Sequence, residues 1–349
     1  MDTNLAKKLG QSLLVGFQGT EVDDPWTQRL LKQISSGRVG GVILFRHNIQ
    51  GPEQVRKLNA ALKAAAKDIP LLVSLDQEGG QVQRLSSQNG FDDHKSAKAV
   101  AQSMTAKEAE EHYASMGRMI SGAGFNVTFG PDVDLDIPPG SPVIGGKERS
   151  YGEDPAKVEA YGGAFVDGMR RHGVLSCLKH FPGHGSARGD THAGLVDVTG
   201  TWEDRELEPF YRLIRKGRAD MVMTAHIFNK RVDDKYVATL SPAVLGGKLR
   251  RDAPFDGVII TDDMHMGAIQ LTYGLEEAVV QTLRAGTDML CISNNPAAAK
   301  GVAGFKPDPA LPEKVVDMLV SAVKDGRLSE ERVEASYRRI LKLKAGPRA

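Results

Sequence analysis

Residues 257–263 read GVIITDD, an apolar run that ends in two adjacent carboxylates. A strand with one face in water alternates apolar and polar positions. This run is apolar throughout, as suits a strand covered on both faces of a parallel sheet. The pattern recurs in SLLVGF (12–17), VGGVILF (39–45), PLLVSL (70–75), FNVTFG (125–130), VLSCLKH (174–180), ADMVMTAH (219–226) and DMLCISN (288–294). Helix-like segments separate these eight runs, which predicts an α/β fold of the (β/α)8 TIM-type barrel class. A doubly wound sheet is the competing arrangement, because a count of units says nothing about closure.

The helices between the runs are marked by their ends. Asp154-Pro155 pairs an N-cap side chain with proline at the first helical position, and Val158, Tyr161, Phe165, Val166 and Met169 follow at helical spacing before Gly173. A second helix runs from Leu275 to Ala285 and stops at Gly286. A last one opens at Ser329 with Glu330 and Glu331, presents Val333, Tyr337, Ile340 and Leu341 as its apolar face, and closes at Gly346-Pro347. No low-complexity linker, charge block or fixed-length repeat interrupts the chain, which predicts one domain over 1–349.

Composition narrows the function. With a net charge of +1, 41% hydrophobic and 26% charged residues, neither nucleic acid nor an anionic membrane is an expected partner. The two cysteines, Cys177 and Cys291, lie inside apolar runs, which predicts buried free thiols in a reducing compartment. The start, MDTNLAKKLGQSLLVGF, has no basic segment before a long apolar core, and SLLVGF is too short for a signal peptide or a membrane span. Cytoplasmic residence is the expectation, with a monomer as the default.

Several of the runs end in polar or ionisable residues: Arg46-His47-Asn48, Asp76-Gln77-Glu78, Lys179-His180, His226, Asp262-Asp263 and Ser293-Asn294. A parallel barrel delivers every strand's C-terminal end to one face, where catalytic groups are built. The densest cluster, KHFPGHGSARGDTH (179–192), invites three chemistries. Its histidines, with Asp190 and Asp262, have metal-ligand character, yet Pro182, Gly183, Gly185 and Gly189 keep His180 and His184 off one helical face. Its GHGSARG turn lacks the spacing of a phosphate-binding loop. Finally, Asp190 and His192 stand two residues apart and share one side of an extended segment, where the carboxylate orients the imidazole for general acid/base work. Asp262, fixed at a strand end, is then the candidate nucleophile, with helix capping as its alternative role.

The motifs GVILFRHN, LVSLDQEGGQVQRL, ERSYGEDP, LKHFPGHGSARGDTH, MTAHI and ITDDMHMGAI, in this order, resemble the glycoside hydrolase family 3 β-N-acetylglucosaminidases, whose bacterial members act on peptidoglycan fragments. The resemblance covers most of the chain. It implies a retaining hydrolase that removes terminal β-linked N-acetylglucosamine through a covalent glycosyl–enzyme intermediate, with no metal and no cofactor. By motif, Asp262 matches the nucleophile, His192 the general acid/base and Asp190 its partner. Asp76, Arg84, Arg149, Lys179 and His180 match positions that bind the terminal sugar's hydroxyls and acetamido group. A histidine acid departs from the two-carboxylate pattern of most glycosidases, and the GGKERS stretch (145–150) is longer than the family's usual spacing. The implied substrate is a short soluble oligosaccharide or muropeptide derived from cell wall. The Gly/Pro content of the 182–192 loop predicts that it swings over bound sugar. The alternatives are a related exo-β-glycosidase of other specificity, an inert sugar-binding protein on the same scaffold and, most distantly, a metal-dependent hydrolase. His184 is expected to shape the loop and His265 to be structural; His226 either lines the pocket or is a satisfied buried histidine.

Overall fold

Eight short parallel strands follow the eight apolar runs in a computed structural model that describes residues 3–346: β1 (Leu13–Gly16), β2 (Gly41–Ile43), β3 (Leu72–Leu75), β4 (Val127–Thr128), β5 (Leu175–Phe181), β6 (Met221–Thr224), β7 (Val258–Thr261) and β8 (Leu290–Ile292). Each pairs with the next, and β8 returns to β1 through Leu13–Leu290, Leu14–Cys291 and Val15–Ile292. The last seam, β7 to β8, is bridged at Ile260–Met289, where the Thr261 N–H donates to the Met289 carbonyl at 3.1 Å and the Met289 N–H to the Ile259 carbonyl at 3.0 Å. This seam decides for the barrel over the doubly wound sheet, which would leave two edges unpaired.

Inside the uniformly apolar strands the two faces still divide by alternation. Leu14, Leu72, Val127, Cys177, Met221, Ile260 and Cys291 belong to the barrel interior, joined by Ile340 and Leu343 of the last helix. Leu13, Val15, Val73, Leu75, Leu178, Val222, Ile259 and Leu290 face outward into a larger core shared with the helices. Asp288, fully buried just before β8, ties this seam to the outer layer. Its carboxylate accepts from the Ile259 N–H (3.0 Å), Ser336 Oγ (3.1 Å) and Arg332 Nη2 (2.7 Å), and pairs with Arg250 and Arg339.

The helix ends lie where capping chemistry puts them. Asp154 accepts from the Ala156 N–H (2.9 Å) to open Pro155–Arg170, Ser329 accepts from the Arg332 N–H (3.2 Å) to open Glu330–Lys344, and Leu275–Ala285 ends at Gly286. One face differs from its sequence reading. Leu341 is exposed and Tyr337 half-buried, while Ser336 and Leu343 join Val333 and Ile340 in the buried stripe. Leu341 lies about 100° around the helix from Ile340, and the helix inserts a narrow seam of side chains into the N-terminal mouth of the barrel. Pro347 lies outside the described residues. Cys177 and Cys291 are buried and free. Among the described residues no helix is long and apolar enough to cross a membrane.

Candidate active site

The C-terminal ends of β3, β5 and β7 bring Asp76, Lys179 with His180, and Asp262 to one mouth of the barrel. Lys179, almost fully buried, sets its Nζ 3.1 Å from Asp76 Oδ1 and 2.6 Å from Glu78 Oε1. Arg84 Nη2 donates to Asp76 Oδ2 at 2.8 Å. Arg149 grips Glu78 with two parallel bonds of 2.9 Å, stands 3.2 Å from Asp132 Oδ2 and donates to the Val143 carbonyl at 3.0 Å. The longer 145–150 stretch therefore leaves Arg149 firmly aimed, because a bidentate guanidinium–carboxylate pair fixes both position and plane.

Burial alone would neutralise these groups, but the alternation of charges keeps most of them ionised. Burial pushes the Glu78 carboxyl up, Arg149 and Lys179 pull it further down, and it settles at about 2. Asp76 follows the same logic: burial raises it, and Lys179 and Arg84 bring it below its ordinary value. Burial lowers the Lys179 ammonium, yet Glu78 and Asp76 hold it above the ordinary lysine range. Asp132 is the exception, since burial and neighbouring Asp134 drive it well above the carboxylate range. The recess thus offers alternating fixed donors and acceptors, as a polyhydroxylated ligand requires.

Two Asp–His pairs stand at this mouth. Asp134 Oδ2 lies 2.7 Å from His180 Nδ1, and its carboxylate also receives the backbone N–H groups of His180 (3.2 Å) and His184 (2.8 Å). With Nδ1–H donating, the His180 Nε2 is an acceptor, and it lies 3.4 Å from Arg149 Nη2. In the second pair, Asp190 Oδ1 receives both the His192 N–H (3.0 Å) and its Nδ1 (2.7 Å), while the Ala193 N–H donates to the Asp190 carbonyl (3.0 Å). The pair therefore meets in a tight turn, a correction to the extended segment that its spacing suggested: the aspartate folds back onto its own backbone. The side chains of His180 and Asp134 are 9% and 0% exposed, against 42% and 34% for His192 and Asp190. One dyad is locked, and the other keeps an accessible ring.

Asp262 directly follows β7, with its N–H on the Thr224 carbonyl (3.2 Å) and its Oδ1 receiving the Asp263 N–H (2.8 Å). It caps no helix, since Gly267–Gln270 begins without a side-chain cap. Asp263 braces the turn instead, accepting from the His265 and Ser293 N–H groups at 3.0 Å each. Burial raises the Asp262 carboxyl, but His226, His180, His192 and the Asp263 N–H outweigh it and hold it below the ordinary range.

The glycines of the histidine loop serve packing more than reach. Residues 181–187 are buried throughout. A Cβ on Gly185 would stand 1.8 Å from the Leu135 carbonyl oxygen, and Ser186 donates its N–H (3.2 Å) and Oγ–H (2.6 Å) to buried Glu206. Only the outer half, from Arg188 to Leu195, comes to the surface, with Thr191 still buried within it.

The three histidines do not converge on a metal. His184 is buried behind His180, and His192 sits on the outer turn. Donor atoms of Asp132, Asp134 and His180 do lie within 4.8 Å of one another. However, Asp134 is spent on imidazole and backbone donors, and the Arg149 guanidinium already sits 3.2 Å from Asp132. That donor set does not fit a metal ion.

His226 is the satisfied buried histidine, with Nδ1 2.8 Å from Thr239 Oγ1 and Nε2 3.0 Å from the Asp263 carbonyl. His265 is structural, its Nδ1 accepting from the Asn294 N–H at 3.2 Å. The 46–48 and 293–294 clusters are mainly braces: His47 and Asn48 both reach the Phe17 carbonyl at 3.0 Å, and Asn294 exchanges bonds with the Asp308 backbone. Sequence reading passed over Glu78 as a bridge between two cations, and Asp132 and Asp134 altogether. The available signal was PDVDLD (131–136), which runs on from FNVTFG as a carboxylate-rich strand end.

Residues 4–343 match the family profile described as glycosyl hydrolase family 3 N terminal domain. The chain is 32% identical to Beta-hexosaminidase A of Pseudoalteromonas piscicida, over 90% of its own length and 54% of that protein. It is 35% identical to Beta-hexosaminidase LpqI of Mycobacterium tuberculosis, over 82% of itself and 71% of that protein. Among solved structures, a glycoside hydrolase family 3 beta-N-acetylglucosaminidase from Paenibacillus superposes with a TM-score of 0.87 at 38% identity, covering 98% of this chain and 62% of that one. The chain spans about half the length of the Pseudoalteromonas protein.

Proposed function

The chain belongs to glycosyl hydrolase family 3, and from that premise we propose that it is a retaining exo-β-N-acetylglucosaminidase acting through a covalent glycosyl–Asp262 intermediate. The observation that carries the reading is the pairing of an ionised carboxylate at a strand end with an Asp–His dyad whose ring remains accessible, beside a recess of alternating charges. Asp76, Arg84, Arg149, Lys179 and His180 bind the terminal sugar. An Asp262 carboxylate oxygen attacks the anomeric carbon as its bond to the leaving oxygen breaks, and His192 Nε2–H delivers its proton to that oxygen. Asp190, accepting from Nδ1–H, steadies the imidazolium. In the second half-reaction the neutral imidazole takes a proton from water. The water oxygen then displaces Asp262 from the anomeric carbon, restoring the β configuration and the protonated histidine.

Peptidoglycan-derived fragments are the substrate class we favour, cleaved by residues 1–349 as one monomeric catalytic barrel domain in the cytoplasm. The hexosaminidase names of the relatives and the two buried free thiols support this reading. A matched comparison of aryl β-N-acetylglucosaminide and aryl β-glucoside tests it: clear preference for the acetamido sugar is expected, and the reverse preference points to another exo-β-glycosidase. Asp262→Ala should abolish turnover while leaving the fold intact. Undiminished hydrolysis by that variant removes Asp262 from the nucleophile's place.

A further inference from the structure

The acid/base turn hangs from the segment that carries Asp262. The Gly267 N–H donates to the His192 carbonyl and the Ala268 N–H to the Thr191 carbonyl, both at 3.1 Å. Among the described residues these are the backbone bonds that tie 188–193 to another segment, because the turn's other bonds run from Asp190 to His192 and Ala193. The far side of this strap is rigidly braced. The Met264 N–H donates to the Cys291 carbonyl at 2.9 Å, Asp263 receives the Ser293 N–H at 3.0 Å, and His226 Nε2 lies 3.0 Å from the Asp263 carbonyl.

The fit at Gly267 is close. A Cβ there would stand 2.7 Å from the His192 carbonyl oxygen and 2.9 Å from the Ala193 carbonyl carbon, both of them backbone atoms. Gly267 does not adopt a left-handed backbone, so alanine suits its own conformation and the cost falls on the contact alone.

We propose that Gly267 is a positioning residue: its missing side chain lets the acid/base turn dock flat on the nucleophile's own segment, so that one backbone strap sets the His192-to-Asp262 separation. The proposal rests on the assignment of Asp262 and His192 above and deepens it. An acid must lie within hydrogen-bond reach of the leaving oxygen while the nucleophile stands at the opposite face of the sugar. Displacement of about 1 Å is enough to cost roughly a hundredfold in rate.

The test uses Gly267→Ala alone and combined with His192→Ala, on a dinitrophenyl β-N-acetylglucosaminide and on a disaccharide with a sugar leaving group. For Gly267→Ala, kcat/KM on the disaccharide should fall about ten- to a hundredfold, while kcat/KM on the dinitrophenyl substrate changes by less than about threefold because that leaving group needs little protonation. On the dinitrophenyl substrate kcat should fall, because the second half-reaction still needs the general base, and azide should restore it, since an anionic nucleophile needs no general base. In the His192→Ala background, Gly267→Ala should add nothing, its route of action being gone. Additive losses, or equal losses on both substrates, overturn the positioning role while leaving His192 as acid. If His192→Ala itself is insensitive to the leaving group, the underlying assignment fails instead. Should Gly267→Ala not fold, amide exchange in the unaltered protein decides. The Gly267 and Ala268 amides should exchange slowly and together, and exchange at open-loop rates overturns the strap.

Discussion

His180 and His192 are the same side chain beside the same kind of carboxylate, yet the work we propose for them differs because their rings meet different surroundings. His180 Nε2 faces Arg149 in a buried recess, which suits holding a hydroxyl. The His192 ring is half-exposed, which suits passing a proton. Replacing His192 with alanine should accordingly lower kcat/KM far more for poor leaving groups than for activated ones. A parallel set of leaving-group rates checks this, and equal losses remove His192 from the acid role. Glu78 offers a second prediction at this scale. Glu78→Gln removes the carboxylate that bridges Arg149 and Lys179, so both cations lose their aim. KM should rise on the order of tenfold or more, the worth of a charge-assisted bond, with kcat falling less; an unchanged KM excludes this role. The residues we propose as reacting could be named from the sequence because a strand-end carboxylate and an Asp-x-His pair carry their chemistry locally. Glu78, Asp132 and Asp134 could not, because their meaning comes from burial against Arg149 and His180, partners that only the fold sets beside them.

At the scale of elements, the histidine loop is two pieces with different mechanics. Its first half is packed down by Leu135 and Glu206, and its second half is held by the strap to Gly267 and Ala268. The sequence-based expectation of a loop swinging from Pro182 onward therefore meets two constraints, the packing of 181–187 and the strap at 191–192. Burial raises the Glu206 carboxyl from an ordinary 4.5 to about 7, despite hydrogen bonds from Ser186 and Glu203 that lower it. The folded value lies above the unfolded one, so folding retains the proton. The stabilisation is complete below about 4.5, is lost progressively as pH climbs to about 7, and stays lost above that. The loss is on the order of 3 kcal/mol. Glu206→Gln has no proton to lose, so its stability relative to the unaltered protein should rise between pH 5 and pH 8. Urea unfolding at the two pH values measures this, and a constant difference excludes Glu206 as the titrating group. Capping likewise made the helix starts at Pro155 and Glu330 readable, being a matter of neighbours in sequence. The buried face of the last helix was misread at Leu341 because it depends on the barrel mouth it enters.

For the whole molecule, one buried carboxylate bound by three arginines ties the barrel seam to the outer helices. Asp288→Asn leaves Arg250, Arg332 and Arg339 converging on a neutral amide and should cost about 3–5 kcal/mol. Equilibrium denaturation measures the cost, and a loss under about 1 kcal/mol shows the cluster to be peripheral. Because Asp134 already serves His180 and two backbone donors and Arg149 occupies the space beside Asp132, exhaustive chelation should leave the hydrolysis rate unchanged; a zinc-restored loss of rate revives the metal reading. The sequence by itself determined the eight strands, most helix ends and the candidate reacting groups, since apolar runs, caps and short motifs act within a few residues. Closure of the β7–β8 seam was decided only by the tertiary structure, as were the charge states of the recess carboxylates and the docking of the acid turn onto Gly267. Each of these depends on burial and on partners brought together from distant parts of the chain, where solvent exclusion and close backbone contact outweigh any local preference.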